Sequence, residues 1–122
     1  MPPAFESISA VTLLVANMST SMTFYESLGF EIFFGGPYAD FTSLRIGAGY
    51  LNLQLALLST VAPRTLWGRV VIWVGDVDAL YRKVVASGWP TVTVPADAPW
   101  GERYFHVRDP DGHELSFARP IS

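Results

Sequence analysis

The sequence predicts an α+β fold in which two pseudo-symmetric βαβββ units form a curved, cup-shaped mixed sheet with the helices on the outside. Three observations carry that expectation. Sliding the 122 residues against themselves by 59 positions lays Val11, Leu13 and Val15 on Val70, Ile72 and Val74, two alternating sets of the kind that lines one face of a strand. The same offset lays Asn17 on Asp76, two residues suited to cap a helix, and Gly29 on Gly88, two residues suited to end one in the left-handed conformation. Between cap and glycine the apolar spacing is helical, with Met18, Met22, Tyr25 and Leu28 in the first unit and Val77, Tyr81 (or Leu80), Val84 and Val85 in the second.

The remaining elements follow in order. Phe30 to Phe34, Phe41 to Ile46 and Tyr50 to Leu57 read as strands, separated by Gly36-Pro37 and by Gly47-Ala48-Gly49. Ser59 to Trp67, with Pro63, reads as the linker between a unit at 8–58 and a unit at 68–118, within one domain of 1–122. Thr91 to Val94, Arg103 to Arg108 and His113 to Phe117 read as the strands of the second unit. Pro95 to Trp100 and Asp109-Pro110-Asp111-Gly112 are its turns. The last strands of the two units align at an offset of 62, which pairs Asn52 with Glu114 and Gln54 with Ser116.

Composition removes several chemistries. With no Cys, there are no disulfides, thiolate metal sites or Cys nucleophiles, and two His leave few metal ligands. Eight Lys+Arg against 11 Asp+Glu give a net charge of −3 without a basic run, so no nucleic-acid partner is expected; cationic or neutral small molecules suit the overall charge better. No apolar stretch approaches a membrane span, and Met1 to Glu6 lack the start of a signal peptide, so the cytoplasm is the expected location.

Two motifs add a family resemblance. Phe24-Tyr25-Glu26-Ser27-Leu28-Gly29-Phe30 resembles the first-helix signature of the vicinal-oxygen-chelate superfamily, which includes glyoxalase I, extradiol dioxygenases and bleomycin-resistance proteins. Asp109 to Phe117 resembles its final turn and strand, and Ala98 to Pro110 is most similar to the bleomycin-resistance-like members. Metal-dependent members hold a divalent ion with four side chains, and the resemblance places those positions at Ala10, Gln54, Arg69 and Ser116. Alanine cannot ligate, arginine brings a fixed positive charge, and Gln and Ser supply no anion, so no metal and no cofactor are expected. A site built from His106, His113 and Glu114 is disfavoured, because alternation sends His113 and Glu114 to opposite faces.

Alternation also lists the concave face of the cup: Thr12, Leu14, Asn52, Gln54, Arg69, Val71, Trp73, Tyr104, His106, Arg108, Glu114 and Ser116. From it we take Asn52, Gln54, Arg69, Trp73, Tyr104, His106, Arg108 and Glu114, with Trp100 from the turn, as candidate ligand contacts; aromatic walls with a few polar groups have the make-up of a binding pocket. Trp67 and Trp100 either close its mouth or pack on an edge. Arg69 and Arg108 either meet ligand or pair with Glu114, Glu102 or Asp109. The implied function is metal-independent binding of a small molecule, an antibiotic included, by a homodimer with its groove at the subunit boundary. The alternative is a glyoxalase- or dioxygenase-like lyase or isomerase acting on a small oxygenated substrate, either with a divalent metal or without one, in which case Glu114 and His106 are the candidate acid/base groups.

Overall fold

The computed structural model describes residues 3–56 and 67–121. The first unit contains β1 (Ala10–Val15), α1 (Met18–Ser27), β2 (Glu31–Phe34), β3 (Phe41–Ile46) and β4 (Gly49–Leu55). The second contains β5 (Arg69–Trp73), α2 (Val77–Ala86), β6 (Ala96–Asp97), β7 (Glu102–Arg108) and β8 (Glu114–Pro120). Leu57 and the linker up to residue 66 lie outside the described residues. Each unit makes its own four-stranded mixed sheet, in the orders β1-β4-β3-β2 and β5-β8-β7-β6, with only the first-named pair of each parallel.

Local chemistry sets the helix ends. The Asn17 side chain accepts from the Thr20 N–H and that of Asp76 from the Ala79 N–H, which satisfies donors that a helix start leaves free. Gly29 and Gly88 follow the helices at φ +101° and +86°, where a side chain would be strained. All four residues of the α1 stripe are buried. In α2 the burial is narrower: Val77 and Val84 are buried and Tyr81 and Leu80 half-buried, but Val85 is exposed, which corrects its assignment to the stripe.

A second correction concerns Thr91 to Val94. Thr91 makes an isolated bridge to Val107 of β7 and the Val92 and Thr93 N–H groups both donate to the His106 carbonyl, so no regular ladder forms there; the edge strand forms instead at Ala96–Asp97, inside the stretch read as a turn. Pro90 and Pro95 bracket the predicted strand, and a ring nitrogen cannot donate to a ladder.

One core joins the two units. Leu13, Val15, Leu44, Leu51 and Leu53 from the first sheet and Ile72, Phe105, Val107, Leu115 and Phe117 from the second meet the apolar faces of both helices. The β7–β8 turn then clasps the first unit. Asp109 accepts from the Tyr25 hydroxyl at 2.7 Å, and Asp111 accepts from the Ala16 N–H at 2.9 Å and the Ser21 hydroxyl at 3.3 Å. Burial, and the neighbouring Asp109 charge after it, push the Tyr25 hydroxyl well above its ordinary pKa, so it stays a donor. From β7, Arg103 ties Asp78 of α2 to Asp97 of β6, and those bonds hold its guanidinium charged.

Candidate functional site

Strand register builds the site row by row across β5, β8 and β7. Arg69, Glu114 and Arg108 are side-by-side partners, as are Val71, Ser116 and His106, and then Trp73, Ala118 and Tyr104. The intervening residues, Ile72, Phe105, Val107, Leu115 and Phe117 among them, turn to the core. Because the central strand contributes only Ser116 and Ala118 between larger neighbours, a pocket of about 180 Å³ opens above them. Trp100 and Tyr104 stack at 6.0 Å between centroids and stand in its wall with Arg69 and His106. Glu102 orients the tryptophans: one carboxylate oxygen accepts from Trp73 Nε1 and the other from Trp100 Nε1, both at 2.9 Å.

The charges are arranged around one buried carboxylate. Glu114, with a side chain 3% exposed, accepts from Arg69 Nε at 2.6 Å, and Arg108 Nε lies 3.8 Å from its other oxygen. His106 Nδ1 is 3.7 Å from Glu114, beyond hydrogen-bonding range. Burial above all, and the Arg69 charge after it, hold the His106 imidazole below its ordinary pKa, with Glu114 acting in the other direction. At pH 7 it is therefore neutral. It faces the pocket, and none of the hydrogen bonds among the described residues uses its ring nitrogens.

His113 is engaged elsewhere. Its ring accepts the Trp67 indole N–H at Nδ1, 3.1 Å away, and an indole can only donate; Nε2 therefore carries the proton and donates it to the Leu14 carbonyl at 2.8 Å. Both nitrogens are occupied, so His113 has none left for a metal. The four positions that the resemblance marks for a divalent ion fare no better. Arg69 holds its guanidinium against Glu114, Ala10 has no donor, and Gln54 lies on β4 opposite Leu14. Among the described residues no three His, Asp or Glu side chains converge. The residues present do not fit a divalent cation.

Seven of the nine candidate contacts thus lie on one face: Arg69, Trp73, Trp100, Tyr104, His106, Arg108 and Glu114. Glu114, one of those candidates, is buried in the single chain beside Arg69 and Arg108. Asn52 and Gln54 lie on the first sheet instead. There Asn52 bonds to Thr12 at 3.3 Å and accepts from Ser43 at 2.7 Å, and among the described residues no hydrogen bond or ring contact joins this row to the pocket. On the same sheet Arg45 stacks over Phe33 at 4.6 Å, beside Tyr50, a cluster that sequence reasoning missed. The alternation Phe41, Ser43, Arg45 was the available signal. Glu102 was read only as a partner for arginine, whereas its bonds go to the tryptophans.

Comparisons with known proteins agree with the fold. The family profile described as Glyoxalase/Bleomycin resistance protein/Dioxygenase superfamily matches residues 7–117. An uncharacterized protein of Mycolicibacterium smegmatis is 34% identical over 116 residues, covering 93% of this chain and 94% of that protein. An uncharacterized protein of Mycobacterium bovis is 37% identical over 65 residues, and the match spans 43% of its length and 51% of this chain. Among solved structures, a bleomycin resistance determinant encoded on transposon Tn5 superposes with a TM-score of 0.78 at 22% identity, covering 96% of this chain and 100% of that one. A bleomycin-binding protein complexed with bleomycin superposes at 0.73 and 22% identity, covering 94% and 98%. At these identities the structures establish the fold. No helix among the described residues is long and apolar enough to cross a membrane.

Proposed function

The chain belongs to the glyoxalase/bleomycin resistance protein/dioxygenase superfamily, and from that premise we propose that it is a metal-independent small-molecule binder of the bleomycin-resistance type, working in the cytoplasm as a homodimer. The observation that carries this reading is the pocket itself. Its walls are aromatic, its polar groups are few and already oriented, and an arginine paired with Glu114 stands where a metal-dependent relative needs a ligand. A structural neighbour that binds bleomycin supports the same class of ligand. Lyase or dioxygenase chemistry of the metal-dependent kind asks for side chains that Ala10, Gln54, Arg69 and Ser116 do not supply.

The dimer rests on a second feature. β1 and β5 each pair on one side only, and a groove of about 540 Å³ runs between them, lined by Ile8, Tyr50, Trp67, Val71 and Trp73. Val71 and Trp73 are 55% and 66% exposed in the single chain, and open strand edges beside exposed apolar side chains favour association. A second copy laid along these edges would cover the groove and add its own first-unit face, with Asn52, Gln54 and the Arg45 cluster, to the pocket.

Titration with bleomycin and a set of polyaromatic drugs, followed by tryptophan fluorescence, tests the binding. At least one compound is expected to quench, and Trp73→Ala is expected to weaken that compound by about tenfold or more. Sedimentation at micromolar concentration should give the mass of two chains. Stoichiometric, stabilising uptake of Zn²⁺, Ni²⁺, Mn²⁺ or Fe²⁺ would reverse the metal-independent reading, and a persistent monomer would remove the dimer.

A further inference from the structure

We propose that Arg69 replaces the divalent ion of the metal-dependent relatives as the anchor for ligand oxygen, and that the pocket on β5, β7 and β8 takes an aromatic carboxylate. The inference rests on the binding reading above and names its ligand class.

Arg69 spends only its Nε on Glu114; its terminal nitrogens have no hydrogen-bond partner among the described residues, and its side chain is 43% exposed at the pocket. The buried carboxylate therefore fixes the Nε edge of the guanidinium and leaves its outer donors uncommitted, on a residue that lines both this pocket and the adjoining groove. A guanidinium held in this way is a fork for two carboxylate oxygens. The neutral imidazole of His106 stands beside it with one ring N–H to offer a carboxylate oxygen.

The local charge differs from that of the whole chain. The chain carries −3, yet around this end of the pocket Arg69 and Arg108 face the single carboxylate of Glu114. At His106 the Arg69 charge lowers the imidazole pKa and that of Glu114 raises it, so the ring lies within reach of both charges. Glu102, also in the wall, has each oxygen taken by an indole N–H. Size sets the rest of the ligand. A cavity of about 150 Å³ holds one benzene ring, so about 180 Å³ suits a single ring bearing a carboxylate, with the ring against Trp100 and Tyr104.

Three probes of nearly equal shape separate the possibilities: benzoate, benzamide and benzylammonium, titrated by calorimetry and tryptophan fluorescence into the wild-type chain. Benzoate is expected to bind about tenfold or more tightly than benzamide, with benzylammonium weakest, because a charge-assisted pair exceeds a neutral hydrogen bond by about that factor. Arg69→Gln combined with Glu114→Gln removes the anchor and its counter-charge together and leaves the net charge around Arg108 unchanged, so it should bring the benzoate-to-benzamide affinity ratio down toward one. If benzamide or benzylammonium binds as tightly as benzoate, the anion anchor is wrong and the binding reading stands. Should the double variant keep the benzoate preference, Arg69 is not the anchor. No binding of any of the three would overturn the aromatic-carboxylate assignment, and the drug titration then decides separately whether the chain binds small molecules.

Discussion

Asp109→Ala is expected to lower stability by about 3–4 kcal/mol and the melting temperature by about 10 °C or more, although Asp109 touches neither the pocket nor its charges. Asp109 is 5% exposed and ties down three donors: the Tyr25 hydroxyl at 2.7 Å and the N–H groups of Asp111 and His113 at 3.0 and 2.9 Å. Alanine accepts from none of them. Tyr25 is fully buried, so its hydroxyl would lose a partner with no water to replace it, at about 1–3 kcal/mol. The loosened turn would also weaken the Asp111 bonds to Ala16 and Ser21, and so the contact between the two units.

The charge of Asp109 is a separate matter. Burial raises its pKa, chiefly by desolvation and against the opposing Tyr25 bond. The unfolded chain therefore releases this proton at a lower pH than the folded one. The sign is that stability is highest below the unfolded value of about 3.9 and falls as pH rises through the folded pKa. Asp109→Asn keeps an oxygen for the two amides, offers an N–H to the Tyr25 oxygen and carries no charge to desolvate. It should stay within about 1 kcal/mol of the wild type at pH 7 and gain on it as pH rises from about 4. Urea unfolding of the three proteins at pH 4 and pH 7 reads both effects. An alanine variant as stable as the asparagine variant would mean that the clasp does not hold the units together.

What the sequence disclosed and what it withheld divide along one physical line. Caps, stop glycines and strand alternation act within a few residues, so Asn17, Asp76, Gly29, Gly88 and the shared facing of Arg69 with Val71, of His106 with Arg108 and of Glu114 with Ser116 were readable, while the rows they form across the strands were not. Alternation states which side of its own sheet a residue takes. It does not state where that sheet stands relative to another. Alternation therefore put Asn52 and Gln54 on a face of β4 without showing that, within one chain, each unit closes its own ladder and sets them apart from the β5, β8 and β7 rows. Val85 failed for a related reason: it sits on the rim of a helical stripe, and only the packing of α2 fixes where the stripe ends. In Thr91–Val94 local β preference favoured a strand, while the flanking prolines lack the N–H groups that would carry a ladder past either end and the Val92 and Thr93 donors converge on one carbonyl.

Replacing Glu114 should have the largest effect on the pocket. Glu114→Ala removes the one carboxylate beneath Arg69, Arg108 and His106 and leaves a void among them. Breaking a buried pair costs about 3–5 kcal/mol when the surviving charge is trapped. Arg69 is 43% exposed and can turn toward water, which places the expected loss near 3 kcal/mol at most. Glu114→Gln retains an acceptor for Arg69 Nε and the side-chain volume, so it isolates the charge. Of the influences on the His106 imidazole, Glu114 alone raises its pKa, while burial and Arg69 lower it. Without that carboxylate the pKa must fall further, as followed by NMR titration of the ring protons. The linkage has a definite sign: a histidine depressed below about 6.5 adds stability above that pH, and the contribution is lost as pH falls through the folded value. The glutamine variant should therefore lose stability over a wider acid range than the wild type. An unchanged or raised His106 pKa in Glu114→Gln would show that Glu114 does not set the field of the pocket. Glu114→Ala, which leaves Arg69 Nε without an acceptor, should bind benzoate more weakly than wild type even though it is one negative charge poorer, because the guanidinium at the pocket is no longer held from behind. Simple charge repulsion predicts the opposite order, so the direction of that one change separates a positioned anchor from a merely positive surface.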